Sequence, residues 1–87
     1  MDQELNKIAE FVKDMVLKIW CIDSIGVQAC YDKLGVSVRI EHEDPKIASS
    51  LVGREGQNMD ALNRLLSVWG RINGAHIRAY VPTEKVF

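Results

Sequence analysis

The sequence predicts a small two-layer α+β domain in the order α-β-β-α-α-β, a three-stranded mixed sheet covered on one face by three helices. Three observations predict it. Apolar residues recur at three- and four-residue steps over 4–20 and again over 57–69, the period of one helical face. The stretches 36–41 and 75–81 instead alternate apolar and polar, the period of a strand with one buried face. With 87 residues in all, these segments must share a single core, expected over about 4–81, with 82–87 as a short tail.

The first helix buries Leu5, Ile8, Ala9, Val12, Met15, Val16 and Ile19 and turns Lys7, Glu10, Lys13, Asp14 and Lys18 to solvent. It ends near Trp20, where 21–26 brings Asp23, Ser24 and Gly26. A first strand follows over 27–31. Asp32-Lys33-Leu34-Gly35 is a turn closed by glycine. Val36, Val38 and Ile40 then give the second strand its apolar face. Asp44-Pro45 starts a helix, because Asp accepts backbone N–H bonds at the N-cap and Pro suits the first helical position. Ile47, Ala48, Leu51 and Val52 form its apolar stripe. After Gly53-Arg54-Glu55-Gly56, a third helix runs from Gln57 to about Trp69. Leu62, Leu65, Leu66 and Trp69 face the core; Asp60, Arg64, Ser67 and Arg71 face water. Gly70 and Asn73-Gly74 end it. The strand at 75–81 buries Ala75, Ile77, Ala79 and Val81, and Pro82 stops it. The link from the second strand to the third is long enough for the two to lie parallel.

Composition narrows the function. The chain is 47% hydrophobic and 26% charged, a globular balance that excludes full disorder. No apolar run is long enough to span a membrane, and the acidic start MDQELNK is unlike a signal peptide. Cys21 and Cys30 read as free thiols of a reducing compartment, packed as small buried hydrophobes. Together with His42 and His76 they lack metal-ligand spacing, so no metal or cofactor is expected. Ser24, Ser37, Ser49, Ser50 and Ser67 have no recognisable elbow or base, which argues against an enzyme or a small-molecule substrate. The net charge of −1 conceals two unlike halves. Residues 1–44 hold five basic and nine acidic groups, net −4, whereas 45–81 hold five basic and two acidic groups, net +3. The positive half carries the paired glycines and suits a polyanion.

Those glycines are the informative feature. Gly53 and Gly56, three apart between two helices, let backbone approach closely, and the helix that follows offers free N–H groups and a positive dipole end. Arg54 adds a mobile cation. The physical product is a clamp for a sugar-phosphate chain, although many glycine pairs only turn a corner. Arg64 and Arg71, seven apart on one face, read first as a solvated face with an Asp60–Arg64 pair and second as an extension of the phosphate track.

The segment Leu51-Val52-Gly53-Arg54-Glu55-Gly56-Gln57, followed by Met59-Asp60-Ala61-Leu62-Asn63 and Leu65, resembles a KH domain of type II topology. It looks closest to the KH segment of bacterial Jag-type proteins and their small single-KH relatives. The resemblance is specific over 51–66 and topological over the rest of about 5–81. It implies single-stranded RNA binding in the bacterial cytoplasm, without catalysis, as an RNA chaperone or regulator of transcripts. By that likeness Gly53, Arg54, Glu55 and Gly56 form the clamp loop, and Val52, Gln57 and Asn58 flank it. Ile47 and Leu51 line an apolar floor beside Val38 and Ile40. Lys46 and Arg64 are the neighbouring cations. One residue departs from the pattern: Glu55 stands where a second basic residue is usual. Its carboxylate repels phosphate and brings the side-chain charge of the loop to zero, so modest, salt-sensitive affinity is expected. The alternative is a KH-fold module that pairs with itself or with another KH protein.

Overall fold

The structure, a computed structural model, describes residues 3–82. Helix α1 covers Gln3–Trp20, strand β1 Gly26–Asp32 and strand β2 Gly35–Glu41. Helix α2 follows at Pro45–Val52, a single 3-10 turn at Arg54–Gly56, helix α3 at Gln57–Asn73 and strand β3 at Ile77–Tyr80. Of the expected tail at 82–87, Pro82 is buried and 83–87 lies outside the described residues.

The strands make one mixed sheet in the order β1-β2-β3, with β2 antiparallel to β1 and parallel to β3. The register sorts side chains cleanly. Val27, Ile40, Ala29, Val38, Val36, Ile77 and Ala79 share the face toward the helices. The rows Gln28–Arg39–Tyr80 and Cys30–Ser37–Arg78 share the open face. The core joins Ile8, Val12 and Val16 of α1, Val36, Val38 and Ile40 of β2, Ala48 and Leu51 of α2, Leu62 and Leu66 of α3, and Ile77 and Ala79 of β3.

Several expectations need correction. Two helices lie on the sheet: α1 packs on β1 and β2, and α3 on β3, while α2 packs chiefly against α3. Ile19 and Leu65 were expected in the core but are 52% and 53% exposed. A row spaced i, i+3, i+4 is wider than a contact line, and one three-stranded sheet is too narrow to cover both edges of it. Cys21 and Cys30 are exposed free thiols rather than buried hydrophobes. Cys30 sits on the open sheet face, and Cys21 ends α1 in the left-handed conformation at φ 54°. There it lets the N–H of Ile22 donate to the carbonyl of Leu17 (3.3 Å) and close the helix. Helix α3 runs through Gly70 to Asn73. Gly70 is there for close approach, since a Cβ on it would lie 2.4 Å from the carbonyl oxygen of Ala75. Strand β3 is shorter than 75–81; Ala75 packs against the core and Val81 is buried, both beyond its ends.

Two asparagines hold the architecture without any periodic signal. The Asn63 side chain on α3 donates to the carbonyl of Ala79 (3.0 Å) and accepts from its N–H (2.7 Å). It thereby occupies the peptide groups of an edge strand. Asn58 acts at the loop.

Candidate nucleic-acid interface

The loop between α2 and α3 is assembled from both helices. On one side, Asp44 caps α2 by accepting the N–H of Lys46 (2.9 Å), with Pro45 in the first turn. The last turn of α2 leaves carbonyls without helical partners. Gly53 donates its N–H to Ser49 (2.9 Å), and the Asn58 amide reaches back across the loop to the carbonyl of Ser50 (2.7 Å). The 3-10 turn is closed by Gly56 donating to Gly53 (3.1 Å) and Gln57 donating to Arg54.

Three of the four loop residues have positive φ: Gly53 at 80°, Glu55 at 56° and Gly56 at 78°. At Gly53 a Cβ would meet Asn58 at 2.7 Å from its Cγ and 2.8 Å from its backbone nitrogen. At Gly56 a Cβ would meet nothing within 4 Å. No side chain caps the N-terminus of α3 behind Gly56. One end of the loop is therefore packed against the molecule, while the other presents bare backbone beside a positive helix end.

The site residues divide into groups. Arg54, Glu55 and Gln57 are exposed on the loop, and Asn58 is half-buried in its brace. Leu51 is 1% exposed, so its side chain packs beneath the surface rather than lining a floor. Val38 and Ile40 are fully buried too. Ile47 and Val52, both half-buried, are what α2 leaves accessible. Lys46 stands at the opposite end of α2, roughly 10 Å along the helix from the loop at 1.5 Å per residue. Arg64 is exposed on α3 and borders a shallow groove of about 550 Å³ with Gln57, Asp60, Ala61, Leu65 and Val68. The expected Asp60–Arg64 pair is not made; among the described residues, ion pairs join Asp14 to Lys18 (2.9 Å) and Arg39 to Glu41 (2.5 Å).

Sequence reasoning placed Asn58 beside the loop but missed the brace it makes to Ser50. Its bond spans eight residues and links two elements, so no local pattern announces it. The left-handed Glu55 was equally hidden, because its conformation follows from the turn that Gly53 and Gly56 impose.

Among the described residues, no group of three or more His, Cys, Asp or Glu side chains gathers as a metal site. No described helix is long and apolar enough to cross a membrane. Compared with known family models, curated proteins and solved structures, the chain matches none.

Proposed function

We propose that the chain is a single-stranded RNA-binding module of KH type II topology, clamping the sugar-phosphate backbone at Gly53–Gly56 and acting on transcripts in the bacterial cytoplasm. The observation that carries the reading is the open side of Gly56. Its backbone meets empty space directly before an uncapped helix N-terminus, with Arg54 exposed alongside. A phosphate there could accept from main-chain N–H groups, which gives affinity without base preference. The element order, with β2 parallel to β3 and the loop between α2 and α3, supports the same reading. Bases would lie beside Ile47 and Val52, the accessible apolar side chains of α2. Glu55 keeps the affinity modest.

The test is filter binding of single-stranded RNA over a salt series. For a clamp on three or four phosphates, log affinity should fall against log salt with a slope of roughly −2 to −3. Replacing Arg54→Asp together with Glu55→Asp should abolish binding while the circular dichroism spectrum stays native. Retained binding by that folded variant rejects the clamp.

A further inference from the structure

The helices leave one face of the sheet open. Two cross-strand rows lie on it, Gln28–Arg39–Tyr80 and Cys30–Ser37–Arg78. Gln28, Cys30, Arg78 and Tyr80 are exposed, Arg39 is half-buried, and Ser37, flanked on both sides, is buried. Arg39 and Tyr80 are register partners on neighbouring parallel strands, about 4.8 Å apart. The Arg39 guanidinium donates through Nε (2.6 Å) to Oε1 of Glu41, and its Nη2 lies 2.5 Å from the same oxygen. That fork offsets the charge of Arg39 and fixes its orientation in the row that Tyr80 continues. Arg78 stands two residues before Tyr80 on the same face of β3, roughly 6.6 Å along the strand. It is in no ion pair among the described residues. Asp32, at the hairpin end of the face, turns its carboxylate into the turn, where Oδ1 accepts the N–H groups of Leu34 (2.8 Å) and Gly35 (3.0 Å). The cation left without a partner in these two rows is therefore Arg78, which suits an anionic ligand.

We propose that this open sheet face is a second contact surface for single-stranded RNA, on which unpaired bases stack against Tyr80 and the Arg39 guanidinium while Arg78 meets a phosphate. The chemistry of the two rows selects this occupant. Aromatic rings and guanidinium planes stack single-stranded bases whatever their identity, and a neighbouring cation holds the backbone. Tyr80 is the one large exposed hydrophobic side chain in these rows, which is too little apolar surface to anchor a protein partner. The face is also within reach of the loop. Asn63 ties Ala79, the residue before Tyr80, to α3 at a point six residues beyond Gln57. Tyr80 therefore lies roughly 9 Å along that helix from the loop end. A strand held at Gly53–Gly56 crosses the edge of β3 and continues over Tyr80 toward Arg78. The inference rests on RNA as the ligand of the chain, yet the loop and the sheet face are separate surfaces and each can fail alone.

Fluorescence anisotropy of the full 87-residue chain with a short and a long oligouridylate tests it, the short one being about four nucleotides, the length a clamp loop holds. The long one is about three times that. Tyr80→Ala should weaken the long oligonucleotide about fivefold to tenfold and leave the short one unchanged, while Tyr80→Phe keeps both at wild-type affinity because stacking needs the ring and not the hydroxyl. Arg78→Gln should flatten the salt slope for the long oligonucleotide by roughly 0.7, the share of one phosphate contact on a single strand, and leave the slope for the short one as it was. Both residues are exposed, and circular dichroism checks that the variants fold. Ultraviolet crosslinking of the long oligonucleotide should label the peptide that contains Tyr80. If Arg54→Asp with Glu55→Asp leaves the short oligonucleotide bound while Tyr80 still crosslinks, the clamp is wrong and the sheet face stands. Wild-type curves for Tyr80→Ala and Arg78→Gln on the long oligonucleotide overturn the sheet face, as would be found if a protein partner used it. Equal losses on the short and the long oligonucleotide overturn it as well, since an effect through the fold would give that result.

Discussion

Gly53 and Gly56 have almost the same φ, 80° and 78°, yet they belong to opposite sides of the loop. Gly53 faces inward, where Asn58 fills the space a Cβ would need. Its ψ of 172° places it in a region open essentially to glycine alone. Gly56 faces outward into empty space with ψ 12°, an ordinary left-handed conformation that asparagine or aspartate also visits. The same motif letter thus has two physical causes. One glycine is needed for the loop to form. The other leaves main chain uncovered, which is what a ligand would use. A motif scan weights the two alike; the geometry separates a packed glycine from an open one.

That separation can be broken by substitution. The largest effect belongs to Gly53→Ala, which adds forbidden backbone geometry to a steric clash. It should lower unfolding free energy by about 3 kcal/mol or more in urea titrations. A loss under about 1 kcal/mol would show that the packed end is not packed. Gly56→Ala should cost only about 1 kcal/mol, the penalty of the left-handed conformation. Its new methyl projects into the open side, so RNA affinity should fall by more than stability does. Equal small losses in both variants would erase the difference between the two ends. The smallest effect is at Glu55, held at φ 56° without any glycine's freedom. Glu55→Asn should raise stability by a few tenths of a kcal/mol, since asparagine tolerates this conformation better. It should also strengthen RNA binding by removing a negative charge from the clamp. Unchanged RNA affinity in that variant would mean the carboxylate points away from the strand it was expected to repel.

Much of this was legible from residue order. Helix α1 and strand β2 follow from periodicity alone, because Ile8, Val12 and Val16 or Val36, Val38 and Ile40 each repeat at a step that only one backbone geometry aligns. Asp44-Pro45 marked the start of α2 since capping is decided within three residues. The loop was visible as a glycine pair, though its two ends were not distinguishable there. Gly70 misled for a related reason: a glycine that permits close approach and a glycine that ends a helix look identical in sequence. Leu65 misled because a helical stripe can be wider than the surface available to cover it.

Local chemistry therefore determined which segments are helix or strand, where they begin, and that a glycine-hinged turn separates α2 from α3. Tertiary structure decided which apolar residues are buried, that Leu51 lies under the surface while Leu65, Val68 and Ile72 lie on it, and that Asn58 and Asn63 tie the loop and the sheet edge. The division has one physical cause. Periodicity and capping act within a few residues along the chain. Burial and hydrogen bonding across 8 or 16 residues depend on what folding brings opposite.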